Sequence, residues 1–160
     1  MYKFLFFLGI SFLMISCTPK NTAFRYFDKG VLETKGVKAT KKTDIVKDKE
    51  VDVIFISTYL NEVDEKLVDK RFDSFLVFTY FANETQQDFE ENGYLILLNE
   101  NEPSMIKKIE KDDEKYSALM LKNHWGTYYL VEFESLKDSK NLNLVLQNKE
   151  SNKATLNFAK

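Results

Sequence analysis

Asn141-Leu-Asn-Leu-Val-Leu-Gln-Asn-Lys-Glu-Ser-Asn-Lys-Ala-Thr-Leu-Asn-Phe-Ala-Lys160 is the stretch whose reading decides the fold. Leu142, Leu144 and Leu146 alternate with Asn143 and Gln147. After a polar break, Ala154, Leu156 and Phe158 alternate with Thr155 and Asn157. In a strand, successive side chains point to opposite faces, so a period of two describes a ribbon with one apolar and one wet face. Two such ribbons around a short polar break predict adjacent antiparallel strands over a shared core.

Working back from this pair, short runs of the same character recur. Val51–Tyr59 and Phe72–Phe81 are dense in β-branched and aromatic residues, which suit a pleated, packed surface. Tyr94–Leu98, Met105–Ile109, Tyr116–Lys122 and Thr127–Glu134 continue the series. Asn92-Gly93 is a pair that tolerates positive φ and predicts a tight turn. The lysine-rich stretch from Lys35 to Lys49, diluted by Asp44 and Asp48, reads as a polar edge strand, where lysine discourages edge-to-edge pairing. Helical signal is weak: Glu62–Arg71 allows one or two turns or a charged loop. Strands spaced by roughly ten residues predict a sandwich or barrel. The expectation is all-β: an antiparallel immunoglobulin-like β-sandwich of about 7–9 strands. It is a variant, because the Cys…Trp…Cys signature and its disulfide are absent.

The N-terminus has a different character. Met1–Lys3 carries one positive charge, and Phe4–Ile15 is apolar apart from Gly9 and Ser11. That run falls well short of the roughly 20 residues a spanning helix needs and fits the apolar region of a signal peptide. Met14-Ile15-Ser16-Cys17 resembles the lipobox of bacterial lipoproteins, with Leu13 just ahead and Met where leucine is commoner. The resemblance implies a diacylglyceryl thioether on Cys17, the only cysteine, and cleavage before it. More than one acyl chain would anchor the body stably, whereas a single chain gives marginal attachment. The lipobox and strand layout together look like the small immunoglobulin-like lipoproteins of epsilon-proteobacterial envelopes. Thr18, where an Asp would imply retention in the inner membrane, implies the outer membrane. Some such proteins are linked with adhesion.

The expected organisation is therefore residues 1–16 as signal peptide, 17–37 as lipidated cysteine and tether, and 38–160 as the β-sandwich. Loss of residues 1–16 would leave 144 residues of the 160, the size of one domain. Those 144 carry 22 basic and 25 acidic residues, a formal −3. No clustered basic surface advertises nucleic acid. With Cys17 acylated, thiol catalysis and cysteine-based zinc sites are excluded from the body.

The chemistry-bearing residues are sparse. His124 is the only histidine and reads as a turn or strand-edge residue without a partner nucleophile. Glu132 and Glu134 share one strand face at about 6.6 Å spacing, but Tyr129, Val131 and Phe133 fill the other, so the glutamates read as its solvated side. Asp112-Asp113-Glu114 and Glu100-Asn101-Glu102 lack the alternation and central glycine of a calcium loop and read as polar turns. Asn83-Glu84-Thr85 fits the N-x-[ST] acceptor pattern, yet Phe81 stands where the resemblance implies an acid. Trp125 and Tyr129 are expected in the core, and Tyr128, on the alternate face, as the better contact residue; Tyr128 and Trp125 are the candidate partner contacts. No cofactor is implied. The expected partners are a membrane, through lipid on Cys17, and a protein or glycan. The expected role is a non-enzymatic binding or adhesion module; the alternative is an assembly subunit of an envelope complex.

Overall fold

A computed structural model describes residues 30–160. Residues 1–29, including the expected signal peptide, Cys17 and most of the expected tether, lie outside the described residues. The described chain opens with helix α1 (Val31–Lys38) and continues through eight strands: β1 (Thr40–Lys47), β2 (Glu50–Tyr59), β3 (Phe72–Phe81), β4 (Tyr94–Leu98), β5 (Met105–Ile109), β6 (Thr127–Glu134), β7 (Asn141–Asn148) and β8 (Lys153–Ala159). They form two antiparallel sheets, ordered β1-β2-β3-β6-β5 and β4-β7-β8. Without β1, the order β2-β3-β6-β5 over β4-β7-β8 is that of a constant-type immunoglobulin sandwich, ABED over CFG. β1 is an added edge strand. The strands that carry the usual disulfide, here β3 and β7, instead face the core with Phe75, Val77, Leu142, Leu144 and Leu146, all fully buried.

Local chemistry sets the turns. β1 and β2 are joined by Asp48 and Lys49, both at positive φ, as a two-residue hairpin of matching twist requires. Asn99 and Glu100 make a similar turn closing Leu98 onto Asn101, so the Glu100–Glu102 cluster is a turn, as expected. Asn148 accepts from the amides of Glu150 and Asn152, each at 3.0 Å, and fixes the β7–β8 hairpin. Gly93, at φ +74, ends the polar crossover 82–93 that carries the chain to the second sheet.

The inner core follows the predicted alternation. Phe55, Phe75 and Phe133 from the larger sheet meet Ile96, Leu144, Leu156 and Phe158 from the smaller. The larger sheet departs from one-sided burial. Its outer face carries a second apolar cluster, in which Leu76, Phe78, Tyr128 and Leu130 lie beneath Leu60, Val63, Leu67, Tyr116 and Met120. β3 is consequently buried on both faces, and its near-continuous apolar run is the sequence form of that condition.

The covering layer corrects two expectations and agrees with a third. Residues 116–122, expected as a strand, form a 3₁₀ turn at Ser117–Leu119, because the Asp113 carboxylate takes the amides of Lys115 and Tyr116 at 2.9 and 3.2 Å. Residues 60–67 hold two 3₁₀ turns, at Leu60–Glu62 and Glu65–Leu67, in keeping with the one or two turns read for Glu62–Arg71. Residues 31–37, expected as tether, are helical, and Gly36 lies buried against Leu119.

One buried charge crosses the inner core. Asp73, 0% exposed, accepts from the Tyr59 hydroxyl at 2.7 Å and the Leu136 amide at 2.9 Å. The Lys160 ammonium lies 2.8 Å from one carboxylate oxygen and 2.9 Å from the other. A buried ion needs this many partners because each unpaired one costs several kcal/mol in desolvation. Asp73→Ala leaves Lys160 and Tyr59 unmatched and is expected to lower unfolding free energy by about 3–5 kcal/mol in urea titrations. Burial first, and then the Asp73 carboxylate, push the Tyr59 phenol well above its ordinary range; burial and Asp88 do the same to Tyr129. Both raised values favour the protonated, folded state. Their contribution is complete below about pH 10, where the unfolded phenols still hold their protons, and falls above it by about 1.4 kcal/mol per pH unit per tyrosine. Urea midpoints measured from pH 8 upward are expected to fall along this slope, and less steeply in Tyr129→Phe.

Candidate functional site

The long β5–β6 connection, residues 110–126, builds the outer layer and presents its most exposed aromatic residue. Tyr116 anchors the segment: it is buried, and its hydroxyl donates to the Leu67 carbonyl at 3.4 Å. Further on, the Leu121 amide donates to the Tyr128 hydroxyl at 2.6 Å. Gly126, at φ +67, then turns the chain into β6 where any Cβ would run into the Thr79 carbonyl and the Phe78 ring. Between these fixed points Trp125 is thrown outward. It is 69% exposed, with the Tyr80 ring beside it at 6.4 Å between centroids.

The two candidate contacts therefore part company. Tyr128, expected as the exposed contact, is 4% exposed, because the outer face of β6 is covered; its ring packs on Phe78 at 4.9 Å. Trp125, expected in the core, stands in solvent because it precedes the glycine turn and never joins the strand. Tyr129 is in the core as expected, edge-on to Phe89 and donating to Asp88 at 3.0 Å. His124 is exposed beside Trp125. Glu134 is exposed, and Glu132, half-buried, accepts from the Ser74 hydroxyl at 3.3 Å. Cys17 lies outside the described residues. No group of three or more His, Cys, Asp and Glu among the described residues is arranged to hold a metal ion.

Two surfaces remain. The first is a groove of about 510 Å³ between α1, the start of β1 and residues 118–122. Val37, Leu119, Met120 and Leu121 give it apolar walls, and Lys42 and Lys122 stand on its rim. The second is the outward face of β4-β7-β8, flanked at one end by the Asn99–Glu100 turn. Cross-strand register aligns Leu95, Gln147 and Lys153 in one row, Leu97, Val145 and Thr155 in the next, and Asn143 with Asn157 in a third. Lys153 is the only charged residue in these rows, on a chain in which 30% of residues are charged. The face is an apolar strip, Leu95, Leu97 and Val145, bordered by amides and a hydroxyl.

Comparison of the chain with protein-family models, with curated proteins and with solved structures finds no match.

Gly126→Ala is expected to destabilise the domain by about 1–3 kcal/mol through strain at positive φ and displacement of Phe78. Because Trp125 is the only tryptophan, the same variant is expected to change its fluorescence in the folded state, read before the urea transition.

Proposed function

We propose that this chain is a lipid-anchored, non-enzymatic protein of the bacterial outer membrane that binds a protein partner through the outward face of β4-β7-β8. The observation that carries the reading is the charge depletion of its cross-strand rows, with Glu100 at their border. The cores of protein interfaces are depleted in charge and surrounded by a polar rim, and an apolar strip edged by amides has that composition. Glycan recognition commonly stacks sugar faces on aromatic rings, and the rows of this face contain none; protein is the favoured partner. The anchor rests on the lipobox-like Met14–Cys17, and the outer membrane on Thr18 after it. A non-enzymatic role is supported by the company of the acidic residues. Asp113 organises a turn, the Glu100 cluster forms another, and Glu132 meets a serine hydroxyl.

The chemistry of this face is the same for an adhesion module and for an accessory subunit of an envelope complex. Protease shaving of whole cells separates them, because only an outward-facing domain is cut. Leu95→Glu and Thr155→Glu each place a carboxylate in the rows without touching the core. Each is expected to reduce crosslinking to the partner in intact cells by about tenfold or more and to leave the thermal midpoint unchanged. Unchanged crosslinking overturns the binding face. Protein extracted from membranes is expected to weigh more than its polypeptide by its acyl chains, and Cys17→Ser to lose that mass and move to the soluble fraction. A native mass equal to the bare polypeptide overturns the anchor.

A further inference from the structure

The opposite side of the sandwich carries a different surface, and we infer that it docks flat onto an anionic lipid bilayer. The register of the larger sheet shows its continuity. Lys42, Ile56, Phe78 and Tyr128 form one cross-strand row, and Asp44, Ile54 and Tyr80 the next. Leu121 is tied above the first row by its bond to Tyr128, and Trp125 lies beside Tyr80 on the second. The two rows are two residues apart along the strand, about 6.6 Å, so Leu121 and Trp125 belong to one patch. The groove extends it to Val37 on α1. Val37 and Leu121 are 58% and 46% exposed, and α1 opens on Val31, at 77%.

Charge selects the occupant. Lys35, Lys38, Lys42 and Lys122 are exposed around these apolar residues, against Glu33, Asp44 and Glu62, whose turn touches α1, and Asp44 is itself 3.3 Å from Lys42. The local balance is positive on a chain whose net charge is negative. Apolar side chains and a tryptophan ringed by lysine are the composition of a surface that sits at the headgroup level of an anionic leaflet. Lysine also suits that position because its stem lies along apolar surface while its ammonium reaches phosphate. A protein partner would be served equally by the apolar residues but has no use for their place in the chain. Gly30 is only 13 residues from Cys17, at most roughly 45 Å of fully extended backbone, and α1 begins there. This part of the inference rests on the anchor proposed above; the patch itself does not. Docked in this way, the body presents the β4-β7-β8 face away from the bilayer, because the two sheets are stacked and these are their opposite outer faces.

Trp125 is the reporter. The mature acylated chain is reconstituted in vesicles of phosphatidylcholine alone, or with about 30 mol % phosphatidylglycerol to supply the negative surface. In the anionic vesicles its emission is expected to move to shorter wavelength and to be quenched at least about twofold by lipid brominated on its acyl chains. Lys42→Gln with Lys122→Gln, or about 0.5 M salt, is expected to reverse both changes. Val37→Asp tests the apolar part at an exposed position that packs in neither core. Trp125 emission that is identical in both vesicles and freely quenched by aqueous iodide overturns the docking. So does shielding of Trp125 in intact cells that pure lipid does not reproduce, which would assign the patch to a protein. In either case co-flotation of the acylated chain with vesicles leaves the anchor standing, and failure to float strikes the anchor while leaving the β4-β7-β8 face to its own test.

Discussion

Burial of β3 on both faces is the constraint from which the rest of the architecture follows. A strand with Phe75 and Val77 on one side and Leu76 and Phe78 on the other cannot sit in an ordinary two-layer sandwich, where one side of each sheet meets water. The smaller sheet satisfies the first side. Helix α1, the turns of residues 60–67 and the segment around Tyr116 and Met120 satisfy the second. These covering pieces are short and irregular, so they are held by specific bonds: Asp113 to the amides ahead of Ser117, Tyr128 to Leu121, Tyr116 to Leu67. The domain is thus a sandwich with a third, partial layer, and that layer determines which parts of the larger sheet's outer face reach solvent.

The polar clasp around Asp73 has a related logic. It joins β3, the start of the β6–β7 crossover at Leu136, Tyr59 at the end of β2, and Lys160. Such a clasp adds geometry more than net stability, since burying its charge opposes much of what the pairing contributes. An apolar core tolerates small slips of one sheet over the other; a carboxylate with four directed contacts does not.

How much of this was legible in the sequence depends on the range of the interactions concerned. Seven of the eight strands were visible in apolar periodicity and β-branched density, and the eighth, β1, in its lysine content, because those signals come from the strand's own pleat. Tyr116–Lys122 is also apolar, though without β-branched residues, but has no strand neighbour to pair with, and a local carboxylate at Asp113 captured its backbone instead. Helix α1 was missed because Gly36 and the β-branched Val31 and Val37 weaken intrinsic propensity; what supports it is contact with Leu119, far along the chain. The parting of Trp125 and Tyr128 has the same origin. Alternation identified which face Tyr128 occupies but was silent on whether a third layer lay over it. Asp73 gave no local signal at all, since its partners come from three distant segments.

The two outer faces differ in how many cores each residue serves. On β3 and β6 nearly every position is committed, on one side or the other, to packing. On β7 and β8 the odd-numbered positions from Asn143 to Asn157 touch neither core. Substitutions there leave the fold intact, so lineages of this protein are free to rewrite that surface at the pace of whatever it meets, while the scaffold beneath it stays nearly fixed.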